Sequence, residues 1–257
     1  MGSILLQALL RDGPFPAANM VATVRHEERA RSLSHQLGIP VSMDNAAAAA
    51  RADIILIGTK PPSVLEVINS VWGSLNPKKL VISFAASVDT RSIEDAAGIE
   101  LPVIRAMPNT PCLLSAGITA LCRGRFVTEE HMATALSIFG VVGRTVVVDE
   151  RHMDAVTGLS GSGPAFIYII LESLAEAGVK VGLPRDIATL LAAQTTFGAA
   201  KMVLETGSHP ALLKDAVTTP AGCTMDGILE LEEGGLRVTL IKAVMRATER
   251  ARQLAQG

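Results

Sequence analysis

Apolar positions follow two different rhythms along this chain, and the change comes near residue 150. Before it, short unbroken apolar runs are bounded by turn residues. Residues 53–58 (Asp-Ile-Ile-Leu-Ile-Gly) are the clearest case, and 20–23, 80–83, 103–106, 118–121 and 145–148 take the same form. A continuous run of this kind suits a central parallel strand buried on both faces. Between the runs lie helical stretches at 27–37, closed by Gly38, and at 61–72, 90–97 and 129–139. The alanine run 46–50 also reads as helix. Strands alternating with helices predict a doubly wound parallel sheet. After residue 150 the strand runs cease. Residues 163–177, 184–204, 227–232 and 236–254 predict helices, with Pro184 at a first helical position and Gly178 at a C-terminal cap. The pattern therefore predicts an α/β domain at 1–149 and an all-helical domain at 150–257, joined without a Ser/Gly/Pro linker.

Composition narrows the picture. Hydrophobic residues make up 49% and aromatics only 3% of the 257 residues, so the core must be Ala, Leu, Val and Ile. Trp72 and Tyr168 are expected in helix cores, and Cys112 and Cys122 as buried small hydrophobes. A net charge of −2 leaves no basic surplus for phosphates, which argues against a nucleic-acid partner. Three cysteines without CxxC spacing predict neither a disulfide framework nor a zinc site, and point to a reducing, cytoplasmic setting. No signal peptide is expected. The longest uncharged apolar run, near 166–171, falls short of the roughly 20 residues of a membrane span, so no membrane partner is expected either.

In a doubly wound sheet, ligands bind beyond the carboxyl ends of the strands. Three predicted loops fall there: Gly58-Thr59-Lys60-Pro61-Pro62, Ser83-Phe84-Ala85-Ala86-Ser87 and Met107-Pro108-Asn109-Thr110-Pro111. Small residues admit a flat ring or a pyrophosphate, and a lysine at the mouth attracts phosphate. Together they point to a Rossmann-like cofactor groove. Arg25 follows the first predicted strand where NAD-preferring sites carry an acid, which favours NADPH, with NADH as the second option. The Gly-rich turn expected before the first helix is not found. Residues 4–10 read as the helix that follows such a turn, so the strand and turn before it are expected to be missing.

The helical half carries two dense segments. One is Asp154-Ala155-Val156-Thr157-Gly158-Leu159-Ser160-Gly161-Ser162-Gly163-Pro164, read either as a helix start offering N–H groups to a ligand or as a tight turn capped by Ser162. The other is Thr218-Thr219-Pro220-Ala221-Gly222-Cys223-Thr224, read either as an N-cap loop or as a site for a small carboxylate.

These segments resemble the signature of the pyrroline-5-carboxylate reductase family. So do Ala177-Gly178-Val179, Gly182-Leu183-Pro184, Leu213-Lys214-Asp215, Glu232-Glu233-Gly234-Gly235 and the Lys60-Pro61 and 107–111 loops, so that the resemblance spans the whole chain. It implies NAD(P)H-dependent reduction of Δ1-pyrroline-5-carboxylate to L-proline, with the helical parts of two subunits interlocked as a homodimer, in some members assembled into decamers. By motif position it implies Thr23, Asn45, Thr59, Lys60 and Ala86 at the cofactor, with Glu150 near it. The loop readings add Arg25, Pro61, Ala85 and Asn109. It implies Thr219, Gly222, Cys223 and Thr224 around the substrate carboxylate and ring nitrogen, with Thr224 as the catalytic group because no histidine lies inside these blocks. Three departures stand out: the absent first strand and turn, Ala221 in place of a glycine, and Ala216 in place of a residue that is often polar. A β-hydroxyacid-type dehydrogenase is a second reading, although no lysine base lies in the Gly/Ser-rich segment. A non-catalytic oligomer with an incomplete cofactor site is a third.

Overall fold

The computed structural model describes residues 1–220 and 222–256, so the Ala221 departure lies outside the described residues. The chain runs through α1 (Gly2–Asp12), β1 (Ala22–Thr23), α2 (Glu27–Leu37), β2 (Val41–Ser42), α3 (Asn45–Arg51), β3 (Ile54–Ile57), α4 (Val64–Val71), β4 (Leu80–Ser83), α5 (Thr90–Ala97), β5 (Val103–Met107), β6 (Gly117–Arg123), α6 (Glu129–Gly140) and β7 (Gly143–Val147). Helices follow: α7 (Met153–Val156), α8 (Gly163–Lys180), α9 (Arg185–Thr206), α10 (Pro210–Ala216), α11 (Cys223–Glu233) and α12 (Leu236–Gln256). Two compact units result, Met1–Ser162 with Arg246–Gly257, and Gly163–Met245.

The first unit is Rossmann-like, with a five-stranded sheet in the order β3-β4-β5-β6-β7 and a separate parallel pair β1-β2. Alternation along the strands sends Leu80, Ile82, Ile104, Ala106 and Leu121 to one face, where they pack with Leu5, Leu9, Ile138 and Phe139 of α1 and α6. Val81 and Val103 point to the other face and pack with Val64, Ile68, Ile93 and Ala97 of α4 and α5. Helices therefore cover both faces of the sheet.

Several expectations are corrected. The sheet is not wholly parallel, because β6 runs antiparallel to β5. The connection at 108–116, built on a 3-10 turn over Thr110–Leu114, is shorter than the dozen or so residues a parallel crossover needs. Strand β3 is not buried on both faces. It is the edge of its sheet, and Leu56 is 36% exposed. Trp72 is 59% exposed, its indole Nε1 donating to the Ala97 carbonyl at the end of α5, and Tyr168 is equally exposed. Pro184 is the extended residue before α9 rather than its first turn. Gly178 does not end α8, which runs on to Lys180; a Cβ there would sit 2.8 Å from that of Ala188, so glycine lets α8 and α9 pack closely.

The second unit has little core of its own. Among its described residues only Ala175, Ala188 and Ala192 are buried apolar groups, while Leu190, Phe197, Met202 and Leu229 are exposed. Contrary to the reading of short apolar runs, Arg185–Thr206 and the continuous helix Glu150–Lys180 are long and apolar enough to cross a membrane. The first third of the latter is packed into the sheet instead, with Met153 fully buried against Ala120 and Cys122.

Candidate functional site

Thr23, Arg25, Thr59, Lys60, Pro61, Ala85 and Ala86 lie at or just beyond the carboxyl ends of β1, β3 and β4, and Phe84 directly follows β4. A Cβ on Gly58 would collide with the Phe84 ring, and the Cβ position of Gly2 lies 4.0 Å from it, so the start of α1 and the loop after β3 meet there. Helix α1 has no side-chain cap, which leaves first-turn amides for an anion. Thr59 and Lys60 are exposed, and Lys60 precedes a 3-10 turn begun by Pro61. Thr23 and Asn45 are half-buried, Asn45 opening α3 behind Asp44, whose side chain caps the helix. Arg25 donates to Ser63 Oγ at 2.6 Å and lies 3.8 Å from the Glu66 carboxylate. A glycine at the closest approach, two exposed cations and an uncapped helix start fit a dinucleotide phosphate chain. Ala86 is half-buried on this rim, whereas Ala85 turns into the α4–α5 core, so its methyl group faces away from any ligand.

Two other cofactor candidates have their polar atoms engaged by the protein. Glu150 accepts from Arg105 Nη1 at 2.7 Å, from the Thr90 amide and hydroxyl at 3.2 and 2.8 Å, and from Cys122 Sγ at 3.3 Å. Arg105, buried within β5, also faces Asp154 at 3.8 Å. Burial first, and the neighbouring Glu150 carboxylate second, push the Cys122 thiol far up, so it stays protonated. Glu150 thus ties the base of the long helix to β5, β6 and the first turn of α5.

Asn109 is used in the same way. Its Oδ1 accepts from the Ile118 amide at 3.0 Å and its Nδ2 donates to the Ser160 carbonyl at 3.2 Å. That carbonyl needs an outside donor. Pro164, four residues on, has no N–H to give it. The Gly/Ser segment is otherwise continuous helix: residues Thr157–Gly161 form a π turn, and the Ser162 amide bonds back to the Thr157 carbonyl. The predicted helix start at Gly163 coincides with that of α8, but it follows directly on the π turn through Ser162 rather than opening from a loop, and no side-chain cap by Ser162 is formed. The glycines serve packing instead. A Cβ on Gly158 would strike Thr248 of α12, lying 2.8 Å from its amide nitrogen, and one on Gly161 would lie 2.7 Å from Met107 Cε.

The substrate candidates all lie in the second unit, around the start of α11. Gly222 precedes the helix without a side-chain cap, its amide bonded to the Thr219 carbonyl at 3.0 Å. A Cβ there would strike Thr219 Oγ1 and lie 3.1 Å from the Thr219 carbonyl oxygen, so glycine leaves room for the Thr219 side chain as it stands. Thr219, Cys223 and Thr224 are exposed, and the first-turn amides have no side-chain acceptor. Ala216 ends α10, exposed.

Residues 150–254 match the family model for pyrroline-5-carboxylate reductase dimerisation, and residues 1–87 match that for NADP oxidoreductase, coenzyme F420-dependent. The pyrroline-5-carboxylate reductase of Methanosarcina acetivorans is 44% identical over 256 residues, covering 100% of this chain and 95% of that protein. The chain belongs to the pyrroline-5-carboxylate reductase family. The Escherichia coli reductase is 37% identical over 257 residues, covering 100% of this chain and 96% of that protein. Among solved structures, the pyrroline-5-carboxylate reductase from Coxiella burnetii superposes with a TM-score of 0.92 at 35% identity, covering 99% of this chain and 94% of that one. The Plasmodium falciparum pyrroline carboxylate reductase, with NADP bound, gives 0.88 at 29% identity with the same coverage of each chain.

Sequence reasoning missed Arg105, Ser63 and Ser160 as members of this reductase's framework. Two signals were present: an arginine inside an otherwise apolar strand, which demands a buried partner, and a proline within a helical run, which demands a donor for an orphaned carbonyl.

Proposed function

We propose that this chain reduces Δ1-pyrroline-5-carboxylate to L-proline with NADPH, NADH being a poorer donor, and that the helical part at 150–257 carries both the substrate site and the contact of a homodimer. The observation that carries the site reading is the start of α11, where uncapped amides, a glycine packed against Thr219 and the Thr224 hydroxyl stand together in the family's most distinctive block. The amides of this turn hold the substrate carboxylate, as helix N-termini hold anions generally. The Thr224 hydroxyl oxygen accepts from the ring N–H of the protonated imine, and a bond to that form favours it. Reduced nicotinamide supplies the hydride that adds to the C=N carbon. Orientation supplies much of the acceleration, up to about 7–11 kcal/mol where geometry is ideal. Lys60 and the α1 amides hold the pyrophosphate, and Arg25 takes the 2′-phosphate in exchange for its bonds to Ser63 and Glu66. Asn109 and Glu150 support this site by holding the π turn and the base of the long helix.

The sparse core of the second unit supports the dimer. Exposed Leu190, Phe197 and Leu204, seven residues apart on α9, share a face that a second subunit covers, and a decamer is a further step of the same assembly. The unpaired thiols suit the cytoplasm. Loss of NADPH absorbance with the imine as substrate tests the reading. Thr224→Ala lowers kcat/KM for the imine and leaves NADPH affinity unchanged; equal loss of both would remove Thr224 from this role. Arg25→Ala raises KM for NADPH and not for NADH.

A further inference from the structure

Ser87 is one of two described non-glycine residues with positive φ, at +61°, and it sits in the loop that joins β4 to α5. Left-handed backbone is disfavoured for a residue with a Cβ, and serine is not among the types that tolerate it best. Such a conformation persists only where the surroundings impose it. Here the imposing group is identifiable. Ser87 is buried, and its Oγ donates to the Ala251 carbonyl at 3.1 Å, on the last turns of α12. The bond joins residues 164 positions apart. Ala251 is itself buried, and one turn earlier Thr248 packs against Gly158 of the π turn without room for a Cβ. The end of α12 is therefore clamped between the β4–α5 loop and the π turn. The same helix begins in the other compact unit, since its residues up to Met245 belong there.

We propose that Ser87 is a positioning residue for the reduction, and that its bond to α12 holds the β4–α5 loop in the left-handed turn that sets Ala86 at the cofactor rim. The proposal rests on the reading of this loop as part of the nucleotide groove. Through it, the end of the C-terminal helix becomes a structural part of the cofactor site.

The test uses full-length Ser87→Ala, Ser87→Gly, Ser87→Cys and Ala86→Val, with NADPH dissociation constants, KM for each substrate and Tm. Ser87→Ala is expected to weaken NADPH binding about fivefold, the factor carried by one buried hydrogen bond. KM for the imine at saturating NADPH stays unchanged. Ser87→Gly takes the left-handed turn without cost but has no hydroxyl, so it falls between wild type and Ser87→Ala. Ser87→Cys keeps the shape and a weak donor and recovers part of the loss, which also preserves the test if Ser87→Ala folds poorly. Unchanged NADPH affinity in Ser87→Ala, or losses in both substrates that only track Tm, would overturn the latch. Ala86→Val separates this from the groove reading. If Ala86→Val is impaired for NADPH and Ser87→Ala is not, the latch alone fails. If Ala86→Val binds NADPH as wild type does, the groove reading itself fails.

Discussion

Removing the Asn109 side chain tests the claim that it serves a carbonyl orphaned by Pro164. Asn109→Ala deletes two bonds, one to the Ser160 carbonyl at 3.2 Å and one from the Ile118 amide at 3.0 Å. Each is worth about 1 kcal/mol, and both lie at partly solvated positions, so the loss is about 1–2 kcal/mol. For a chain of this size that corresponds to a fall in Tm of roughly 2–8 °C. Thermal unfolding at fixed protein concentration measures it, since assembly would otherwise shift Tm. The decisive comparison is with Pro164→Ala, which gives the helix its own N–H four residues after Ser160. In that background the Ser160 carbonyl has an intrahelical donor, and Asn109→Ala is expected to cost only the Ile118 bond, about half as much. A coupling of at least about 0.5 kcal/mol is therefore expected between residues 55 positions apart in sequence, by the numbering of the chain. Strict additivity would refute the reasoning, because it would mean that Asn109 stabilises the chain without serving the Ser160 carbonyl.

Glu150→Ala leaves the Arg105 guanidinium, 4% exposed as a residue, without its closest counter-charge, and also strips the Thr90 amide of its acceptor. Breaking a buried pair on one side costs about 3–5 kcal/mol, and because Glu150 is partly solvated the lower end is expected, read by denaturant unfolding. Gly158→Ala forces a Cβ against Thr248 and its backbone, so it is expected to unfold the protein or cut its stability by several times the effect of Gly163→Ala. Gly163→Ala meets no atom within 4 Å and is expected to stabilise the helix by about 0.5–1 kcal/mol, as Tm will report. Cys112 and Cys122 are buried with thiols pushed up by desolvation, so a disulfide reagent at neutral pH is expected to label them only after denaturation, while exposed Cys223 reacts in the native chain. Raising the pH within the folded range leaves the two buried thiols protonated and unreactive, because their ionisation lies above the usual thiol range.

Much of the α/β unit was legible because one local rule settled each element. The strand at 80–83 and the helices at 27–37 and 90–97 coincide with β4, α2 and α5, since an apolar run or a glycine stop marked each end. Gly38 and Gly98 both close their helices in the left-handed region, as such stops require. Strand β2, only Val41–Ser42, left no run to read. The direction of β6 was not legible from its own residues, because an apolar run carries no sense of direction. It followed from the length of the 108–116 connection. The Gly/Ser segment misled for a related reason: Gly158 and Gly161 look like a break, yet each sits within a helical turn where another element presses close. Only the tertiary partners Thr248 and Met107 explain why glycine stands at 158 and 161.

The candidate site divides in the same way. The positions proposed to meet a ligand through exposed polar groups, Lys60, Arg25 and Thr224, could be picked out because a charge or hydroxyl in a loop at a strand end or helix start has few structural tasks. Asn109 and Glu150 carry the same chemistry and were picked out on the same grounds, but long-range contacts give them different work: one completes a proline-broken helix, and the other neutralises a buried arginine. What distinguishes the two sets is whether the side chain's hydrogen-bonding capacity is already spent within the fold. That accounting needs partners 45 and 51 residues away, Arg105 and Ser160. A sequence pattern supplies the donors and acceptors; only the fold says which of them remain for a substrate.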